Sequence, residues 1–391
     1  MDLLSQIIPG ASRSAKLFSV ILTLFSSTPW SLAAAFDETH PPLSGPYQLL
    51  QHPSPEDPTL DVTSDALGLK GRPVRTSFHE AYQNQSSVRA QGGRGTCSIF
   101  STTAWIESWL IRKKTMGSEI DLSEEWLAHV VARTLKQDGS ESDFNFEMIS
   151  EWGLPSESTL KYIKTDWQDK DWSNKPRAAA RCGHLRGRLP RKVCLIGHWD
   201  PGLLDLSGRE LRGKSRLLLR ARNEAEDFKS QFGGELQGPR IIQSVREVKS
   251  LLASGSPVVL DQEFFYGAWN HGTAEDLRIG VDPKAWARGD IGYPEPHSLD
   301  RLKSPKKPTG HSILIVGYDD EAEIQTTVRM ENGKMKTFIY RGVYYFKNSW
   351  GSASFGKEFE ADGIRAPGYG RITQRYAHEF GSFLSLDQAR K

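Results

Sequence analysis

An α+β protein with two segregated lobes is the fold class that the sequence predicts. Helical periodicity dominates an early stretch, residues 97–155, and strand patterning a later one, residues 256–346. Helices first and strands later imply separate layers rather than alternating βαβ units. The 391 residues leave room for about two or three domains. Eleven Trp, eleven Tyr and seventeen Phe can fill a real core, which excludes a wholly disordered chain. No run of 18 apolar residues exists, which excludes a polytopic membrane protein. A net charge of +2 excludes a polycation, and three Cys are too few for a disulfide-built scaffold.

Residues 1–35 have the order of a signal peptide. Arg13 and Lys16 are followed by the apolar stretch Leu17–Phe25, then by the small residues Ser31-Leu-Ala-Ala-Ala35. Nine apolar residues cannot span a bilayer, which needs about 20. Cleavage near Ala35 would make the protein secreted or periplasmic. Residues 36–75 carry seven Pro and no sustained apolar period, the pattern of an extended leader or short pro-segment.

Residues 76–160 form the predicted helical lobe. Cys97, Phe100, Ala104, Ile106, Leu110 and Ile111 recur at the steps of a largely buried helix. Ser123 is a suitable N-cap for a helix running to Val131. A third helix is expected from Phe144 to Trp152, stopped by Gly153 and Pro155. Residues 161–235 form a basic insertion. Its part 161–222 has sixteen Lys and Arg against six Asp and Glu. A solvated surface insertion is the plain reading, and a patch for an anionic surface the functional one. Nothing in it matches a nucleic-acid module. Residues 236–391 form the β-rich lobe. A helix over Ser244–Ala253 precedes strands at Ser256–Leu260, Ser312–Tyr318, Thr326–Met330, Phe338–Tyr340 and Gly342–Phe346. Asp319-Asp320-Glu321 is expected to be a solvated hairpin turn and not a Ca²⁺ site.

Four polar residues carry chemistry. In Gln91-Gly-Gly-Arg-Gly-Thr-Cys97, three glycines let the backbone turn sharply and deliver Cys97 to the start of a helix. Unpaired N–H groups there favour a thiolate, the nucleophilic form. Gln91 could return its amide N–H toward the same spot, making an oxyanion hole with the Cys97 N–H. His311, at the start of a buried strand, can act as acid and base. Asn348, in Lys347-Asn-Ser-Trp-Gly351, can accept from the imidazole and fix its tautomer, with Trp350 covering that bond.

Gln91–Ser101, Gly310–Tyr318 and Tyr345–Gly351 together resemble the three signature blocks of papain-like cysteine peptidases, the cathepsin group. The resemblance spans about residues 74–160 and 240–380. It implies Cys97 as nucleophile, His311 as acid/base, Asn348 as orienter and Gln91 as oxyanion donor. It also implies a helical left lobe and an antiparallel, β-barrel-like right lobe with the cleft between them. Peptide or protein substrates, a monomer and no cofactor or metal go with it. The chain departs from the family pattern at Arg94, where the family has a disulfide-forming Cys, and at Ser98, where it has Trp. Gly139-Ser140 is the nearest counterpart of the Gly-Gly pair that lines the substrate groove, and Gly310 precedes the His where Asp or Asn is common. The leader is short for the family's helical prodomain.

Cys182 and Cys194, with His184 and His198, allow a zinc knuckle or a disulfide closing a short loop. Their order matches no standard zinc site, and an oxidising compartment favours the disulfide. His129, His271, His297 and His378 belong to no motif and are assigned surface or structural roles. Asn84-Gln-Ser86 is a glycosylation sequon. The expected function is peptide hydrolysis through a thioester. The alternatives are an inactive binding protein on the same scaffold, a Cys-His amidase or transpeptidase, and an interaction module acting through the basic insertion.

Overall fold

The computed structural model describes residues 74–388 except 138 and 169–174. The expected signal peptide lies outside the described residues, and so does the leader except for its last two residues. Among the described residues, no helix is long and apolar enough to cross a membrane.

The helical part begins with α1 (Phe78–Gln83) and α2 (Cys97–Arg112). Nearly all of α2 is buried, including Ser101 and Thr102, whose hydroxyls bond back to the carbonyl of Ser98. Such back-bonding lets polar side chains sit inside a core. Helix α3 (Glu124–Leu135) starts where expected, with the Ser123 hydroxyl accepting from the Trp126 N–H. Helix α4 (Ser142–Trp152) starts two residues before the expected Phe144. Gly153 ends it with φ +68°, and a Cβ there would lie 2.0 Å from the Ala225 carbonyl oxygen. Only glycine fits that crossing.

The basic insertion is a helical layer with a charged outer face and a buried inner one. It holds α5 (Pro176–Cys182), α6 (Arg188–Gly197), α7 (Gly208–Lys214) and α8 (Arg216–Phe232). Leu211, Leu218, Ala221, Ala225 and Phe228 face inward and join the core of α2–α4. Arg209, Arg212, Lys214 and Arg216 stay exposed. The charge is thus one face of an amphipathic layer. The Cys182–Cys194 disulfide links α5 to α6, and Cys97 is the free cysteine.

The β-rich part contains β1 (Leu236–Ile242), α9 (Val245–Ala253), β2 (Val258–Glu263), α10 (Thr273–Asp276), α11 (Pro283–Arg288), β3 (Asp290–Ile291) and α12 (Leu299–Lys303). It continues with β4 (Gly310–Arg329), β5 (Met335–Lys347), a ribbon of β6 (Glu360–Ala361) and β7 (Ile364–Arg365), β8 (Tyr369–Thr373), α13 (Gln374–Phe380) and β9 (Gly381–Gln388). Seven strands form one sheet in the order β1-β9-β2-β4-β5-β8-β3. All its pairs are antiparallel except β3 with β8. Both faces are covered. Val259 and Leu314 pack toward the helices, while Leu260, Ile313 and Ile315 pack on the other side. That is why these strands are continuous apolar runs rather than alternating ones.

The acidic run after His311 is not a turn. Strand β4 continues through it, with a bulge between Asp319 and Glu323 where Asp319 Oδ1 accepts from the Glu321 and Ala322 N–H groups. The reversal comes later, at Met330–Lys334. Asp320 is buried and pairs with Lys249 of α9 at 2.7 Å, both side chains 0% exposed. It also accepts from Gln374 Nε2 at 2.7 Å. A buried carboxylate with these partners stabilises the bulge where a solvated turn would have left it in water.

Removing one partner of a buried ion pair leaves the other charge uncompensated, which typically costs about 3–5 kcal/mol. Asp320→Ala is therefore expected to lower the urea midpoint strongly, while Lys249→Met combined with Asp320→Leu recovers most of the loss. Equal midpoints for Asp320→Ala and the parent protein would show that the pair contributes nothing.

Candidate active site

The site lies where the start of α2 meets the ends of β4 and β5. The segment before α2 is stitched to the segment after β5. Ala90 forms a β-bridge with Trp350, and the Gln91 N–H donates to the Ser349 carbonyl at 2.8 Å. This seam brings Gln91, Asn348 and Trp350, remote in sequence, to one place.

His311 and Asn348 meet as expected. His311 Nε2 and Asn348 Oδ1 are 2.9 Å apart, and both residues are buried. Asn348 Oδ1 also accepts from the Ser349 N–H at 2.8 Å, so the oxygen of that amide faces the ring. Nε2 must then carry the proton, and Nδ1 keeps its lone pair. Trp350 stacks on the imidazole at 4.5 Å and 26°, and Trp269 meets it edge-on at 5.1 Å. Water is kept from the His311–Asn348 bond by these rings.

Cys97 reaches the same strand. Cys97, of intermediate exposure, lies beside Ser312, the neighbour of His311. Ser312 pairs in register with Asp261 on β2 and donates its hydroxyl to Asp261 Oδ1. Asp261 also accepts from the Ser142 N–H at 2.9 Å and the Ser142 hydroxyl at 2.6 Å. One carboxylate therefore joins the start of α4 to the strand beside the thiol.

Burial works against the thiolate that the sequence favours. The helix start does help the thiolate, through the Ser98 N–H, but burial outweighs it and pushes the Cys97 thiol up. The Asp261 carboxylate pushes it further in the same direction. Burial lowers the His311 imidazolium to about 4, despite the Asn348 oxygen that favours it, and His271 adds to the lowering. Both shifts oppose ionisation of either group by itself.

Gln91 is buried and tightly held. Its Oε1 accepts from the Ser349 hydroxyl at 2.6 Å, and its Nε2 donates to the Arg94 carbonyl at 2.7 Å. An amide nitrogen carries two N–H groups, so a second donor is left for a ligand. The Cys97 N–H, in the first turn of α2, has no partner within the helix. Gly139 has φ +79° and packs beside the Gly95 carbonyl, and the Ser140 hydroxyl lies 3.0 Å from that of Ser98. Gly139-Ser140 therefore runs beside the Cys97 loop, and Ser98 supplies a hydroxyl bond to it where the resembled family has an indole.

Sequence reasoning did not single out Asp261, Ser312 or Ser142. The one signal was a carboxylate directly after the apolar run Val258–Leu260, sharing a face with Val259. Its meaning depends on strand register, which the sequence does not display. His271 also lies closer to the site than expected, its ring 6.1 Å from Trp350. Lys347, next to Asn348, is buried and lowered by that burial to about 8. It donates to Ser86, which donates to Glu107 of α2, so the end of β5 is tied to that helix. The zinc-knuckle alternative gives way to the disulfide. His184 instead faces Asp200 at 2.9 Å and His198 faces Glu125 at 3.2 Å. Among the described residues no group of three or more His, Cys, Asp and Glu converges to hold a metal ion.

No family model and no curated protein matches the chain. Solved structures do. Xylellain, a cysteine protease from Xylella fastidiosa, is 16% identical, with a TM-score of 0.47 over 81% of this chain and 87% of that one. The digestive procathepsin L2 proteinase of Tenebrio molitor larval midgut is 18% identical, with a TM-score of 0.40 over 83% of this chain and 72% of that one. A ragweed pollen cysteine protease in its proform is 14% identical, with a TM-score of 0.44 over 82% of this chain and 68% of that one. The chain is thus similar in fold to these three proteases.

Proposed function

We infer that the chain is a cysteine peptidase that hydrolyses peptide bonds through a thioester. The observation that carries this reading is the His311–Asn348 bond under Trp350, with Cys97 held against the residue next to His311. A structural histidine has no need of an oriented acceptor, an indole cover and a neighbouring free thiol.

The reaction starts from the neutral pair. The Cys97 sulfur attacks the peptide carbonyl carbon as its proton passes to His311 Nδ1. Asn348 Oδ1 stabilises the imidazolium through the Nε2–H bond. The carbonyl electrons move onto oxygen, and the Gln91 and Cys97 N–H groups receive the oxyanion. The tetrahedral intermediate collapses, the C–N bond breaks and His311 protonates the leaving amine. Water then attacks the thioester, giving its proton to His311, and the sulfur leaves with a proton returned from the imidazolium.

Cys97→Ala is expected to abolish peptide cleavage, while Gln91→Ala loses about 10²–10³ in kcat and keeps a measurable rate. A parent protein no more active than Cys97→Ala would end the reading.

The pH profile follows from the two shifts. His311 must be neutral to accept the proton, so kcat/KM is expected to fall as pH drops through about 4. The thiol is raised above its ordinary range, so no loss is expected near its model-peptide value on the alkaline side. An acid limb near 6.5 would show that burial does not govern the imidazole.

Asp261 acts as a brake on ionisation. Its charge opposes a thiolate, and the single proton of the Ser312 hydroxyl is committed to it. Asp261→Asn removes the charge and lowers the thiol pKa. Alkylation of Cys97 by iodoacetamide at pH 7 should then quicken roughly three- to tenfold. An unchanged or slower rate would remove Asp261 from the electrostatics of the site.

A further inference from the structure

The loop that presents Gln91 and Cys97 contains three glycines, so its own backbone does little to hold it. Something else must fix the Gln91 amide. We propose that Arg94 is a positioning residue for the Gln91 donor, and that the basic insertion builds the cage that holds Arg94. The proposal rests on the peptidase reading for its catalytic consequence, but not for its geometry.

The Arg94 side chain leaves the loop and enters the protein, 3% exposed. Its Nη1 donates to Glu125 Oε2 at 2.8 Å and to the Ile163 carbonyl at 3.3 Å. Its Nη2 donates to the Ile196 carbonyl at 3.1 Å. The Tyr162 ring lies against the guanidinium, 4.7 Å from its carbon. Two of the three acceptors, and the ring, belong to the insertion. The third, Glu125 of α3, is itself aimed by the insertion, since it accepts from the Ile163 N–H at 3.1 Å and faces His198 Nδ1 at 3.2 Å. A planar guanidinium meeting three fixed acceptors has one orientation.

That orientation is transmitted by a single residue. The carbonyl of Arg94 accepts from Gln91 Nε2 at 2.7 Å, so the caged side chain and the amide's acceptor belong to the same residue. Tyr162 adds a second hold. Its hydroxyl donates to the Gln91 carbonyl at 3.0 Å and accepts from Thr96 Oγ1 at 2.6 Å, spanning both ends of the loop. The Gly93 N–H donates to the Lys164 carbonyl at 3.2 Å. A Cβ on Gly92, which has φ +67°, would lie 2.4 Å from the same carbonyl oxygen, so the loop presses directly on the insertion. The far wall of the cage is the end of α6, which the Cys182–Cys194 disulfide joins to α5. Where the resembled family has a cysteine in this loop, this chain has an ion pair and an added helical layer to receive it.

The test is a double-mutant cycle on the full chain. Rates are normalised to the folded fraction measured by near-UV circular dichroism, so that loss of folded protein does not count. Arg94→Met is expected to lower kcat about 10- to 100-fold, with KM within about threefold, because an oxyanion donor acts on the transition state. In a Gln91→Ala background the same change should have no further effect on kcat. Tyr162→Phe keeps the ring and the fold while removing the two hydroxyl bonds. It should lower kcat several-fold, again only when Gln91 is present. Amide exchange over residues 91–97 should rise in both variants while α3 stays protected. An unchanged kcat, or a loss of equal size with and without Gln91, overturns the proposal. If the parent protein shows no turnover, the peptidase reading fails by itself. Exchange over 91–97 then decides the brace, and unchanged protection in both variants rejects it.

Discussion

Everything at the site depends on the pairing of β4 with β5. The register places Leu314 opposite Lys347, and regular pairing stops there. Asn348 is then the first residue free to turn toward His311. A slip of one residue would take His311 off the face it shares with Ile313, Ile315 and Trp269, away from Asn348. The bulge at Asp319–Glu323 and the buried Lys249–Asp320 pair resist such a slip, because each fits one alignment only.

Burial then sets the chemistry. The rings of Trp350, Trp269 and Phe264 around His311 exclude water from its bond to Asn348. The same exclusion makes a lone charge on sulfur or imidazole unfavourable. The two effects are one cause. A dry site strengthens an oriented hydrogen bond and also opposes ionisation of either group by itself. Asp261 adds to the restraint and, through Ser142, ties the helical side to the strand that carries His311.

The insertion changes meaning when its buried side is considered. Arg209, Arg212, Lys214 and Arg216 face solvent, but Tyr162, Ile163 and Ile196 face the loop before Cys97. A basic composition suggested a solvated surface insertion, with a surface for anions as the functional alternative. The packing also uses the segment to complete the helical layer and to receive a buried guanidinium. Net charge describes the solvent face and is silent about the other one.

Much was legible in the sequence. Ser123, Gly153 and the apolar steps after Cys97 located three helices, because caps, breakers and periodicity are local. The His311–Asn348 partnership was legible because residue types and order suffice to suggest it. The Cys182–Cys194 disulfide was favoured over a zinc knuckle by the ligand order and the expected oxidising compartment, and it is formed. The acidic run at Asp319–Glu321 was misjudged, since three charged residues resemble a solvated turn unless the bulge and Lys249 are known. The places of Asp261, Ser312, Arg94 and Tyr162 were not legible at all. The sequence alone determined which groups are available and which segments are helix or strand, since these rest on neighbours along the chain. Only the tertiary structure decided which groups touch and what charge they hold. Strand register, burial and the cage around Arg94 arise between residues far apart in the chain, and no local pattern records them.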